Sequence, residues 1–150
     1  MILKLAKEEK DLFFLYSTRI HPDVSKMLTG NPPESYEKHL DYIKKVQGLS
    51  KWIFVACHEH GLIGYSQMYN VTEKDLEVGF VVHPDFQGWG LGKKLVELTL
   101  NKAKEIFPKR KIYLYVKDDN YKAIHIYQKL GFVSKGFQDN IAYMERQDEF

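Results

Sequence analysis

The sequence predicts an α/β (α+β) fold, with helices packed on a mixed, largely antiparallel sheet of about seven strands and about four helices. Three observations carry that expectation. Short apolar stretches bounded by turn residues recur through the middle and end of the chain. A long amphipathic stretch over residues 90–107 follows one of them directly. The unit over 76–116 therefore reads strand, helix, strand, and such a crossover brings its two strands together in parallel.

Each element has its own grounds. Residues 2–5 read as a short first strand. Over 8–17, Leu12, Phe13, Leu15 and Tyr16 share a helical face. Gly30-Asn31-Pro32-Pro33 breaks the chain, and Tyr36, Leu40 and Ile43 then mark a second amphipathic helix ending near Gly48. Residues 52–57 and 62–69 read as strands joined by the polar turn His58-Glu59-His60-Gly61. Residues 75–82 form the next strand. In the helix over 90–107, Leu91, Leu95 and Leu98 lie beside Val96, Leu100, Ala103 and Phe107, and Pro108 ends it. Residues 112–116 alternate as a strand. Asp119-Asn120 caps a further helix, and Gly131 suits the left-handed position that closes it. Strands around 132–137 and 141–146 complete the sheet.

Composition narrows the function classes. At 150 residues the chain is expected to form a single domain over 1–150. Its hydrophobic fraction of 44% and charged fraction of 28% are those of an ordinary globular protein. A net charge of +2, spread along the chain, gives no basic stripe for nucleic acid. No apolar run approaches a membrane span, and the start, Met1-Ile2-Leu3-Lys4-Leu5-Ala6, lacks the parts of a signal peptide. A cytoplasmic protein with no nucleic-acid or membrane partner is expected. The lone Cys57 leaves no internal disulfide, and no Cys/His spacing suggests a metal site.

The stretch from Val81 to Lys94 holds the chemistry. A strand ends at His83-Pro84, passes Gln87-Gly88-Trp89-Gly90-Leu91-Gly92, and opens into the long helix. Glycines let the main chain approach a ligand, and the free N–H groups of a helix start favour phosphate. Two familiar loops are excluded letter by letter. A nucleoside-triphosphate loop needs glycine at position 87, which is glutamine, and Ser or Thr at 94, which is lysine. A dinucleotide fingerprint needs a third glycine at Lys93 or Leu95.

What remains, Gln-x-x-Gly-x-Gly at a strand-to-helix turn, resembles the pyrophosphate loop of the GCN5-related N-acetyltransferase (GNAT) superfamily. Downstream, Asn120-Tyr121-Lys122-Ala123-Ile124-His125-Ile126-Tyr127-Gln128-Lys129-Leu130-Gly131-Phe132 resembles that superfamily's later motif, in the order the family requires. The resemblance implies a GNAT-like sheet, splayed between the strands at 75–82 and 111–116, and acetyl-CoA as acetyl donor. It implies cofactor contacts from Phe80, Val81 and Val82, from Gln87, Gly88, Trp89, Gly90, Leu91, Gly92 and Lys93, and from Asn120 and Tyr127. It further implies direct attack of a substrate amine on the thioester. Tyr127, on the inward face of its helix, is the expected general acid. Glu77 interrupts an apolar strand and is the expected base, directly or through a water. His83 is expected to stabilise its turn.

Arg19, His21, Tyr69 and Glu77 are the expected acceptor contacts. The run Arg19-Ile20-His21-Pro22, with Met27 and Glu37-Lys38-His39-Leu40, resembles the branch that acetylates nucleotide-linked amino sugars in bacterial pseudaminic acid synthesis. The run from Lys122 to Tyr127 is also similar to spermidine acetyltransferases. The partner expected is thus a small-molecule amine, with the amino sugar ranked ahead of a polyamine or a protein N-terminal amine. A non-catalytic acetyl-CoA-binding sensor is the rival class, and a homodimer is left open.

Overall fold

The computed structural model describes residues 1–59 and 61–147. Seven strands form one sheet: β1 (Ile2–Leu5), β2 (Lys51–His58), β3 (Gly61–Tyr69), β4 (Asp75–Val82), β5 (Lys111–Lys117), β6 (Phe132–Gln138) and β7 (Ile141–Arg146). Their spatial order is β1-β2-β3-β4-β5-β7-β6. Only β4 and β5 run parallel, as the crossover predicts, and every other neighbouring pair is antiparallel. His60, in the expected turn between β2 and β3, lies outside the described residues.

The α-helices are α1 (Glu9–Ile20), α2 (Pro22–Ser25), α3 (Tyr36–Val46), α4 (Leu91–Ile106) and α5 (Tyr121–Lys129). Sequence patterning misses α2, because four residues carry no periodicity. Its signals are local ones: Pro22 at the first turn, and the His21 imidazole accepting the Asp23 N–H. In α1 the expected apolar face is narrower than it looks, since Leu12 and Leu15 are buried while Phe13 is 55% exposed.

The sheet carries a core on each face. On one face α4 and α5 bury Val96, Leu100, Ala103 and Tyr127 against Met68, Leu76, Val78, Leu114 and Met144. On the other, α1 to α3 bury Leu12, Leu15, Val24 and Ile43 against Ile53, Val55, Tyr65 and Val81. The central strands are therefore covered on both sides, which accounts for the near-continuous apolar runs in β2 and β4. No helix among the described residues is long and apolar enough to cross a membrane.

Candidate functional site

The site begins where the sheet comes apart. β4 and β5 pair only at Asp75 with Lys111, Leu76 with Ile112, and Glu77 with Tyr113. Beyond Glu77 the two strands diverge, so the edge of β4 facing β5 is left without a ladder partner over Val78–Val82. A cleft of about 1410 Å³ runs through this fork, from the glycine loop to the N-terminal helices.

The loop is built for anion contact. Gly88 and Gly90 have φ of +86° and +76°, the left-handed region, and a Cβ on either would meet nothing within 4 Å. Their glycine is thus demanded by backbone shape rather than crowding. Gly92 differs: a Cβ there would sit 3.2 Å from the Ile126 side chain, so this glycine lets α4 and α5 approach. Gly90 caps α4, whose first turn holds no acidic residue, and the free N–H groups meet the cleft at a sixteen-residue helix start. The Gln87 amide donates to the Val82 carbonyl at 3.0 Å and ties the loop back to β4. These features fit the pyrophosphate and pantetheine arm of a coenzyme A thioester.

Most sequence-expected cofactor contacts converge here. Phe80, Val81, Val82, Gln87, Gly88 and Gly90 line the cleft, together with Leu91, Gly92, Asn120 and Tyr127. Trp89 and Lys93 do not: Trp89 packs edge-on against Phe86 at 5.4 Å, and the Lys93 side chain sits 3.9 Å from Glu97. Asn120 lines the cleft while its side chain accepts the Ala123 N–H at 3.4 Å, capping α5. Tyr127, 8% exposed, stands between the rings of Phe80 and Phe132 at 5.7 and 5.8 Å. Burial pushes its phenol well above the ordinary range, so it keeps its proton at neutral pH.

Glu77 is buried at 7% exposure in a central strand. Its carboxylate accepts the Tyr69 hydroxyl at 2.6 Å and the Asn70 amide at 2.9 Å. Glu77 is not among the cleft-lining residues; Tyr69 is.

At the far end, Arg19 lines the cleft and donates to Ser25 Oγ and to the Thr29 and Gly30 carbonyls. His21 is not part of the lining; its Nδ1 accepts the Asp23 N–H at 3.1 Å and its ring packs on His83 at 5.9 Å. The His83 Nδ1 likewise accepts the Asp85 N–H at 3.1 Å, the turn-stabilising place expected of it. Among the lining residues to which sequence reasoning gave no role, His39 and Lys51 carry charge or titrate. His39 is half-buried, and its Nδ1 has no hydrogen-bond partner among the described residues. Burial first, then the charges of Arg19 and Lys51, hold its pKa below the ordinary 6.5. Lys51 stands over the rings of Tyr42 and Tyr69, at 5.2 and 4.9 Å. His39 carried a usable signal, since it falls on the same helical face as Tyr36 and Ile43. Lys51, at a strand start, carried none.

Comparison with known proteins agrees with this geometry. The model of the acetyltransferase (GNAT) family matches residues 19–132. Acetyltransferase PseH of Campylobacter jejuni (serotype O:23/36, strain 81-176) is 30% identical over 130 residues, covering 86% of this chain and 80% of its own. Spermidine N(1)-acetyltransferase of Vibrio cholerae is 28% identical over 135 residues, covering 87% and 78%. Among solved structures, spermidine N-acetyltransferase from Vibrio cholerae in complex with CoA and spermine superposes with a TM-score of 0.86, at 24% identity over 96% of this chain and 93% of that one. The Campylobacter jejuni N-acetyltransferase PseH gives 0.78 at 22% identity, over 99% and 98%. At such identities the two structures speak for the fold.

Proposed function

This chain belongs to the acetyltransferase (GNAT) family, and on that premise we propose that its acceptor is the primary amine of an anionic small molecule, a nucleotide-linked amino sugar. It is an N-acetyltransferase, and acetyl-CoA is its acetyl donor. When bound, that donor supplies a thioester carbonyl open to attack by an amine.

In this reading one domain performs the whole reaction. Main-chain N–H groups over 88–93 hold the pyrophosphate, and the unpaired edge of β4 at Phe80, Val81 and Val82 holds the pantetheine arm. Asn120 steadies the start of α5 beside the donor, and Tyr127 returns a proton to the leaving sulfur. Glu77 takes the proton that the attacking nitrogen gives up.

One observation carries the choice of acceptor: the uncompensated charge at that end of the cleft is positive. Asp23 and Glu34 line it, but each is paired with a lysine of its own, Lys26 and Lys38. Arg19 and Lys51 have no carboxylate partner among the described residues. A polyamine entering that end would meet like charge, whereas a phosphate-bearing amine would meet opposite charge. Tyr42 and Tyr65 add aromatic faces for a sugar or base.

Calorimetry with acetyl-CoA, followed by free-thiol release across nucleotide-linked amino sugars, polyamines and peptides with free N-termini, tests the reading. The amino sugars are expected to give the highest kcat/KM. A polyamine or a peptide that exceeds them would overturn the acceptor assignment, and donor binding without release on any class would favour a sensor.

A further inference from the structure

We propose that Tyr69 is the proton conduit of this transferase: its phenol takes a proton from the acceptor ammonium while handing its own to Glu77. The inference rests on amine acetylation by this chain, and not on which amine is the natural one.

Placement comes first. Glu77, the proposed base, is buried and does not line the cleft, while Tyr69 does. Both carboxylate oxygens already hold a donor, Tyr69 Oη on Oε2 at 2.6 Å and Asn70 Nδ2 on Oε1 at 2.9 Å. Of the two residues that supply those donors, only Tyr69 lines the cleft. An amine in the cleft therefore meets Tyr69 before it can meet Glu77. Tyr69 and Glu77 are also paired across β3 and β4, and Glu77 is the last residue at which β4 still pairs with β5. The phenol thus stands at the root of the fork, where the cleft enters the sheet.

The chemistry agrees with the placement. Burial, and then the bond to Glu77, pushes the Tyr69 phenol far above its ordinary range, so it stays protonated. It cannot act as a base alone, and it can pass a proton only by exchange with the carboxylate behind it. Lys51, 4.9 Å from the Tyr69 ring centroid, places a positive charge beside the entering ammonium and favours its loss of a proton.

The step balances. An N–H proton of R–NH3+ moves to Tyr69 Oη as the phenol proton moves to Glu77 Oε2. The ammonium becomes an amine, the carboxylate a carboxyl, and the tyrosine is unchanged. The nitrogen lone pair then forms the N–C bond to the acetyl carbon, the C–S bond breaks as Tyr127 gives its phenol proton to sulfur, and the second N–H proton, lost as the amide forms, restores the Tyr127 phenol. Amide and thiol result, and Glu77 later returns its proton to water.

The test is the pH dependence of kcat/KM for the best amine of the panel, at saturating acetyl-CoA, in wild type, Tyr69→Phe, Glu77→Gln and the double variant. Tyr69→Phe is expected to lose on the order of 100-fold near neutral pH, the loss expected of a missing proton-transfer group. That loss should shrink roughly tenfold per pH unit towards the amine's own pKa, because free amine in solution needs no base. Glu77→Gln should trace the same curve, and the double variant should fall within about threefold of either single one, as groups acting as a unit do. A deficit constant with pH, or losses that multiply in the double variant, would assign Tyr69 to packing and overturn the conduit. So would Glu77→Gln at the wild-type rate, a result that stands even if Tyr69→Phe fails to bind acetyl-CoA by calorimetry.

Discussion

Two cleft side chains owe their chemistry to burial, and each yields a prediction. Tyr127 keeps its phenol proton because ionisation among Phe80, Phe132 and the sheet is costly. Tyr127→Phe is expected to leave the acetyl-CoA Kd within about twofold by calorimetry and to lower kcat on the order of 100-fold. His39 is held below its ordinary 6.5, by burial first and then by Arg19 and Lys51. Its sign follows from linkage. Between the lowered folded value and about 6.5, the unfolded chain binds more protons, so stability rises with pH and is lost on acidification. His39→Gln should flatten the dependence of Tm on pH just below about 6.5, measured by scanning calorimetry. An unchanged slope would place the acid sensitivity elsewhere.

At the scale of elements, the position of α4 decides where the glycine loop at its start points. Its apolar rows were readable from the sequence, but a polar residue in the seam was not. Thr99, fully buried, is hydrogen-bonded to Ser66 of β3 and to the Leu95 carbonyl, each at 2.8 Å. The helix is thus pinned to the strand beside the fork by a polar pair inside the core. Thr99→Val keeps the volume and leaves the Ser66 hydroxyl buried without that partner. The expected cost is about 1–3 kcal/mol in urea unfolding, from the desolvated hydroxyl. The neighbouring contact at Gly92 works by shape: any side chain there would press on Ile126 of α5.

Across the whole molecule, the two sides of the cleft come from opposite ends of the sequence. Lining residues on the side proposed for the donor lie on β4, α4 and α5, and those at the proposed acceptor end lie on α1 to α3, β2 and β3. Beside the cleft-lining Lys26, a long-range bond ties β5 to the segment after α2: Lys117 Nζ donates to the Lys26 carbonyl at 2.6 Å. Lys117→Met should loosen the segment after α2 while sparing the donor loop. The expected result is a KM for the acceptor raised two- to tenfold, about what one exposed charge-assisted bond is worth, with the acetyl-CoA Kd unchanged. Equal weakening of both ligands would mean that the bond holds the fold rather than that segment.

These scales differ in how far the chain alone reveals them. The seven strands, the single parallel pair and the glycine turn before α4 were legible because each is written in contiguous residues: a 3.6- or 2-residue period, or a glycine forced to positive φ. Neighbouring residues determine such features, whatever lies across the molecule. Where the fork opens, at Glu77, was decided only in three dimensions. So was the turning of Glu77 away from the cleft and onto Tyr69. The gathering of Arg19, His39 and Lys51 around one end also depends on packing among distant elements, and the place of His21 in a helix cap depends on a four-residue turn. A pocket wall made of side chains from five elements has no period and no spacing in sequence. Its geometry is set by the close packing of two cores against a sheet that parts in the middle.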